Sequence, residues 1–220
     1  MVLSQLTWPQ VKDIDDCWVL SALQCVNVVA PWEHLYGVTA FRAAAGDPDD
    51  GNMDGGSLAE IVKGTVGLFP SFAGLLTTLR NVSWAAFTAE ANRHRPLSVA
   101  VDSGKLPSRL AYGFHGKHQV TIAVKGDGTI LFANPLATYY SRWTTVQWAD
   151  VKTAILGYST AGGAYAVAYP TDAQMGPLLP AVAARIDELV TARYGVMLES
   201  ARAETKVATK AAAVTAIQAL

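Results

Sequence analysis

The segment CWVLSALQCVNVVA, residues 17–30, constrains the fold of this 220-residue chain more than any other feature. Apolar side chains fall on nearly every side of the helix that it would form, which suits a buried central helix better than a surface helix. Asp15 and Asp16 precede the segment and Pro31 follows it, as expected at the start and end of a helix. The sequence therefore predicts a helix with other elements packed around it.

The residues after this helix predict further helices first and extended strands later. Helical patterns cover 33–45, 72–80 and 84–94, and Ser57 opens another helix with Glu60 at the capping-box position. Strand patterns rich in β-branched residues cover 97–102, 119–125 and 129–133, with a Gly-Asp-Gly turn at 126–128. A weaker strand is predicted at 164–169, after a short helix at 150–156. Helices followed by antiparallel strands indicate an α+β fold, with the central helix packed on the sheet.

The chain is expected to divide near residue 170. Residues 1–170 carry the helices and strands of the main domain, and a Pro-flanked linker then leads into an Ala-rich segment of mixed charge. Apolar residues recur there at helical spacing, as at Val182, Ile186, Leu189 and Val190. Residues 171–220 are thus interpreted as a linker and a helical tail. The tail either packs along the domain or docks on a partner, and self-association through 180–220 is one form of docking.

Charge and hydropathy exclude several classes of protein. Lys and Arg total 17 against 18 Asp and Glu, and neither sign forms a long block, so a nucleic-acid partner is not expected. No apolar run approaches the roughly 20 residues that a membrane span needs, and the N-terminus lacks the pattern of a signal peptide. Synthesis in a cytosol without export is the expectation.

The chain has two cysteines, Cys17 and Cys25, and both lie on the predicted central helix. Eight residues of helix separate them by about 12 Å, beyond the roughly 7 Å that a disulfide allows between Cα atoms. Both are therefore expected to be free thiols. A thiol at a helix start next to an imidazole is activated as a nucleophile, whereas a lone cysteine is usually a small buried apolar residue.

Four sequence blocks set Cys17 apart from a lone cysteine. QVKDIDDCWVLSAL (10–23) resembles the active-site helix of papain-like cysteine peptidases, and its DCW is especially similar to calpains. Three later blocks also resemble the family. The family's glycine turn and the helix after it are similar to GNMDGGSLAEIVKGTVGLF (51–69), and its strand before the histidine is similar to PLSVAVDSGKL (96–106). Its histidine and asparagine strands are similar to HQVTIAVKGDGTILFANP (118–135). Bacteriocin-leader peptidases are similar too, with about sixteen residues between histidine and the orienting residue, as between His118 and Asn134.

The resemblance implies a papain-like fold and acyl transfer by a cysteine. Cys17 would attack a carbonyl, His118 would move the proton and Asn134 would orient the imidazole. Gln10 would stabilise the oxyanion with the backbone N–H of Cys17. Gln10 lies seven positions before Cys17 where the family shows six. The family's tryptophan after the asparagine is also missing, and Trp143 or Trp148 is the candidate to shield the histidine–asparagine bond.

Other candidates for chemistry are weaker. His115 competes for the role of base but precedes the strand pattern, and His34 and His94 have helical or loop contexts. The aspartates at 47, 49, 50 and 54 lack the calcium-loop order, so no metal site is expected, and no glycine-rich phosphate loop points to a cofactor.

The sequence leaves two functions of different class. The first is a thiol peptidase or amidase acting on a protein, a peptide or a peptidoglycan cross-link. The second is a structural or docking component that keeps the papain-like domain and is anchored through its C-terminal helix. The Ala-rich composition, missing signal peptide and helical tail also raise the suspicion of a bacteriophage-encoded, tail-associated particle component, although no motif supports it.

Overall fold

The structure of the chain is a computed structural model, and it describes residues 16–30, 33, 36–47, 56–136, 143–158 and 162–175. These residues form an α+β fold in which helices pack on a six-stranded, antiparallel sheet. The predicted α+β class is confirmed.

The elements follow one another along the chain in a helical first part and a mixed second part. The helices are α1 (Cys17–Val29), α2 (Val38–Ala45), α3 (Leu58–Leu68), α4 (Trp84–Ala91), α5 (Ser108–Ala111), α6 (Trp148–Gly157) and α7 (Asp172–Met175). The strands are β1 (Thr77–Val82), β2 (Leu97–Asp102), β3 (Lys117–Val124), β4 (Ile130–Ala133), β5 (Thr144–Val146) and β6 (Ala164–Ala168). Short 3-10 helices occur at Pro70–Phe72 and Ser103–Lys105. The strand order is β1-β6-β2-β3-β4-β5.

Helix α1 is the buried central helix that its sequence predicts. All of its residues are buried, and it packs against both β2 and β3 as well as α2 and α3. Ser57 begins α3 with its side chain accepting from the Glu60 N–H, while the Glu60 carboxylate accepts from the Ser57 N–H. The predicted capping box is confirmed.

The two faces of the sheet differ in chemistry. One face is apolar, because alternate residues of β2 and β3 such as Val99, Val101 and Val120 join a core with α4, α5 and α6. The opposite face meets α1 through polar groups. The Ser21 Oγ lies 2.8 Å from the Ser98 Oγ and 3.0 Å from the Thr121 Oγ1.

Two predicted helices differ from the structure. The segment 72–80 contains the end of a 3-10 helix and then β1, which pairs with β6 through Thr77 and Leu79. A helical spacing of apolar residues over so short a stretch does not distinguish a helix from a strand, and edge pairing decides the outcome. The helix predicted from residue 33 begins at Val38, since Gly37 has the extended backbone of an N-cap.

By compactness the chain divides into two units, Met1–Met175 and Gly176–Leu220. The second unit, which contains the predicted helical tail, lies outside the described residues. Short helix α7 lies inside the predicted linker and belongs to the first unit. Among the described residues, none of the helices combines the length and apolarity that crossing a membrane requires.

Candidate active site

Cys17 is the first residue of α1, where the backbone N–H groups of the first turn point toward the helix start. Its exposed fraction is 7%, whereas Cys25, two turns later, is fully buried. The carboxylate of Asp16 does not cap the helix but accepts a hydrogen bond from the Arg42 Nε at 2.9 Å. Arg42 therefore offsets a negative charge that would otherwise oppose a thiolate at residue 17.

Neither cysteine forms a disulfide, as predicted, and the two differ in their surroundings. Burial raises the pKa of the Cys25 thiol well above its usual range, and a hydrogen bond with Thr121 only partly offsets this. Cys25 is thus a small buried side chain in the interface between α1 and β3.

His118 and Asn134 are brought together at the start of β3 and just after β4. The Nε2 of His118 lies 2.7 Å from the Oδ1 of Asn134, and both side chains are buried. The orientation of the amide is fixed by two further bonds: its Nδ2 donates to the Leu110 carbonyl at 2.8 Å, and its Oδ1 accepts from the Leu136 N–H at 2.9 Å. Because Oδ1 can only accept, the His118 Nε2 must carry a hydrogen and donate it.

This bond determines which nitrogen of His118 is available for chemistry. In the neutral ring, a hydrogen on Nε2 leaves Nδ1 as a bare acceptor. Nδ1 is buried and has no hydrogen-bond partner among the described residues. Burial lowers the pKa of His118 to about 4, and the bond to Asn134 opposes that shift. The imidazole is consequently neutral near pH 7, the form that accepts a proton from a nucleophile.

Cys17 and His118 lie at the same end of the α1–β3 pair. One turn after Cys17, the Ser21 Oγ is 2.9 Å from the Val120 carbonyl, which belongs to the residue two positions after His118. Tyr158 is the residue that follows α6. Its ring centroid is 5.8 Å from the Lys117 Nζ, and its pKa is raised by burial first and by the charge of Cys17 second.

The aromatic ring that packs on His118 is not one of the predicted tryptophans. The Phe114 ring centroid lies 5.4 Å from that of His118, at an interplanar angle of 58°. Trp148 instead packs edge-on against Trp84 and Phe87 in the apolar core. Sequence reasoning missed Phe114 because it searched after the asparagine, whereas the ring comes from the loop before β3.

The remaining candidates are placed as follows. Gln10 and His34 lie outside the described residues. His115 is exposed in the loop before β3, as its position before the strand predicts, and His94 is exposed with its Nδ1 3.2 Å from the Val124 carbonyl. Asp47 pairs with Arg42. The other three aspartates of that loop lie outside the described residues, and within the described part of the chain no three potential ligands cluster as a metal site would require.

Comparison with protein-family models found no match to this chain, and neither did comparison with curated proteins.

Proposed function

We propose that this chain is a papain-like thiol hydrolase that cleaves a peptide or isopeptide bond through a Cys17–His118–Asn134 set. The observation that carries the proposal is the orientation of the imidazole. Asn134 binds the Nε2 side of His118 at 2.7 Å, and Nδ1, which has no partner among the described residues, is left as a base at the end of the sheet where the Cys17 helix begins. Such a fixed tautomer is what a histidine base requires.

Catalysis would proceed by acyl transfer. The Sγ of Cys17 bonds to the substrate carbonyl carbon while its proton passes to the Nδ1 of His118. The tetrahedral intermediate collapses as the C–N bond breaks, and Nδ1 gives that proton to the leaving amine. Water then attacks the thioester with His118 again as the base, releasing the acid and the Cys17 thiol.

The start of α1 supports the charge that develops in this reaction. The backbone N–H of Cys17 would donate to the oxyanion, and Gln10 is proposed as a second donor. The Asn134 amide stays neutral throughout. It holds the ring in place as His118 becomes cationic, and this is the state that burial opposes most.

The mechanism restricts the substrate only in part. A protein or leader-type peptide and a peptidoglycan cross-link both contain the carbonyl that the mechanism needs. Incubation of the full chain with a peptide library and with purified cell wall would separate them. Cys17→Ala should abolish all cleavage, and Cys25→Ala is the matched control, because Cys25 lies on the same helix but is fully buried.

Thiol labelling tests the proposal without a substrate. Iodoacetamide should alkylate Cys17 much faster than Cys25 in the folded chain, and His118→Gln should slow labelling at Cys17. Peptide mass spectrometry assigns each adduct to its cysteine. Equal and slow labelling of both thiols, together with no cleavage of either substrate class, would contradict the hydrolase and favour a docking function.

A further inference from the structure

Lys117 and Tyr158 form a pair of hydrogen-bond donors with no acceptor among the described residues. Lys117 directly precedes His118, and its side chain is exposed. Its ammonium lies over the ring of half-buried Tyr158, 5.8 Å from the centroid. The rest of the Tyr158 ring packs edge-on against Tyr165 at 5.7 Å. The pair is therefore held between the start of β3 and the residue that follows α6.

The side of the sheet on which Lys117 lies is set by strand alternation. Residues 117, 119 and 121 of β3 share one face, and Thr121 on that face is bound to Ser21 of α1. Lys117 is accordingly on the α1 side of the sheet, at the end where α1 begins with Cys17. The pKa of Tyr158 is raised first by burial and second by the negative charge of a Cys17 thiolate.

Neither donor is satisfied by the described part of the protein. The cross-strand neighbour of Lys117 is Asp102, but the two oxygens of Asp102 are already used. One accepts from the Gly104 N–H at 3.1 Å, and the other lies 3.2 Å from the Lys105 Nζ. Among described residues, no carboxylate lies within ion-pair distance of the Lys117 ammonium, and none accepts from the Tyr158 hydroxyl.

The local charges favour an anion over a cation. Lys105 pairs with Asp102 at 3.2 Å, which leaves Lys117 as a positive charge with no carboxylate partner among the described residues. Burial raises the pKa of Tyr158, so its phenol stays protonated and remains a donor at the pH values where a thiol hydrolase works. An ammonium next to a phenol O–H, both unpaired, matches a carboxylate, which accepts two charge-assisted hydrogen bonds.

We propose, on the basis of the thiol hydrolase function, that Lys117 and Tyr158 bind a carboxylate of the substrate beside Cys17, so that the enzyme selects acyl substrates carrying a carboxylate near the scissile bond. The carboxylate belongs either to an acidic side chain in a peptide or to a free chain end. Both present the same group to the same two donors.

Two alkylating reagents measure the site without knowledge of the substrate. Iodoacetate and iodoacetamide both lose iodide as the thiolate forms an S–C bond, and they differ in carrying a carboxylate or a carboxamide. The ratio of their rates at Cys17, divided by the same ratio in the urea-unfolded chain, reports preference for the carboxylate. We expect the ratio of the iodoacetate rate to the iodoacetamide rate at Cys17 to be about three- to fivefold higher in the folded protein than in the unfolded chain. This is the range expected for a partly exposed ion pair.

Matched substitutions assign that preference to the two donors. Lys117→Gln should bring the ratio down to that of the unfolded chain, and Lys117→Arg should keep most of it. Lys152→Gln is the control, because the Lys152 Nζ also lies over an aromatic ring, 5.6 Å from the centroid of Trp84, but on another part of the chain. Tyr158→Phe should lower the ratio about twofold or more through loss of one hydrogen bond, and Tyr165→Phe should not change it.

The outcomes separate this site from the hydrolase itself. If iodoacetamide labels Cys17 fast but Lys117→Gln leaves the ratio of the two reagents unchanged, the carboxylate site is refuted and the hydrolase stands. If Cys17 reacts no faster than Cys25 with either reagent, both are refuted.

Peptide substrates then identify the source of the carboxylate. Glu is compared with Gln beside the scissile bond in end-blocked peptides, and free is compared with amidated carboxyl ends in peptides that are otherwise neutral. A higher kcat/KM for the acid in only one of the two comparisons assigns the source. Equal kcat/KM for acid and amide in both comparisons would overturn the inference.

Discussion

Acidification should destabilise this fold through one side chain, His118. The neutral ring is buried, and its pKa falls from 6.5 to about 4 because burial disfavours the cation. The unfolded chain therefore binds a proton at higher pH than the folded chain does. The stability that the neutral ring provides is fully present above pH 6.5, and it declines as the pH falls toward 4.

The size of the effect follows from the two pKa values. At pH 7.5 both states are almost entirely unprotonated at this histidine, and the linkage term is close to zero. At pH 4.5 the unfolded histidine is almost fully protonated while the folded one remains mostly neutral. The free energy of unfolding should therefore be about 2 to 3 kcal/mol lower at pH 4.5 than at pH 7.5.

Other shifted groups fall outside this window. Hydrogen bonds from the Thr129 N–H and the Gln147 N–H lower the pKa of Asp127 and Asp150 below 3.8, and the tyrosines and Cys25 are raised above the neutral range. Urea unfolding gives the free energy of unfolding at pH 7.5 and at pH 4.5 for the wild type and for His118→Gln. The change between the two pH values in the wild type, minus the same change in His118→Gln, is the contribution of His118. His94→Gln is the control at an exposed histidine.

The reasoning fails if His118→Gln shows the same loss of stability between pH 7.5 and pH 4.5 as the wild type. An NMR titration of the His118 ring gives an independent check. A midpoint near 6.5 in the folded protein would show that burial does not favour the neutral ring and would remove the expected loss of stability on acidification.

Four further substitutions test the fold and the site. Asn134→Ala should lower kcat roughly 10- to 100-fold, because it releases the His118 ring. It should also destabilise the fold by about 1–3 kcal/mol, because it leaves the Leu110 carbonyl unpaired. An unchanged kcat on the cleaved substrate would contradict the first expectation. Arg95→Ala should cost on the order of 3–5 kcal/mol in urea unfolding, since this buried guanidinium serves three backbone carbonyls as well as Glu90. Arg93→Ala, which removes the exposed partner of the same Glu90, should cost less than about 1 kcal/mol, and equal losses would refute the distinction. Gly64→Ala should destabilise by about 1–3 kcal/mol because a Cβ would overlap the Phe41 ring, and a higher melting temperature would show that the ring can move aside.

Sequence patterns were most informative where one physical requirement governs a whole segment. A helix buried on all sides must be apolar on all sides, and a strand within a sheet favours β-branched residues, so α1, β2 and β3 were predicted within a few residues of their bounds. The edge strand β1 was not, because its short sequence fits helix and strand equally and its partner, β6, lies more than eighty residues away.

The residues around the imidazole could be predicted from the sequence only in part. The order and spacing of the blocks drew attention to His118 and Asn134, and the structure shows the bond between them. Which way the amide faces depends on the carbonyl of Leu110, which comes from α5 and follows no spacing rule. Phe114 likewise reaches the imidazole from a loop, where no periodic pattern marks a side chain.

The polar contact between α1 and the sheet fixes the position of α1 along β3, and with it the position of Cys17 relative to the start of that strand. An apolar interface would tolerate sliding, and a shift of one helical turn would move Cys17 by about 5.4 Å. The Ser21 hydroxyl lies within hydrogen-bond distance of the hydroxyls of Ser98 and Thr121, and these contacts depend on both distance and direction. If α1 moved along the sheet, those buried groups would lose their hydrogen bonds, and each loss would destabilise the fold by about 1–3 kcal/mol. The apolar face can therefore supply the stability while the polar face fixes the position of the candidate nucleophile.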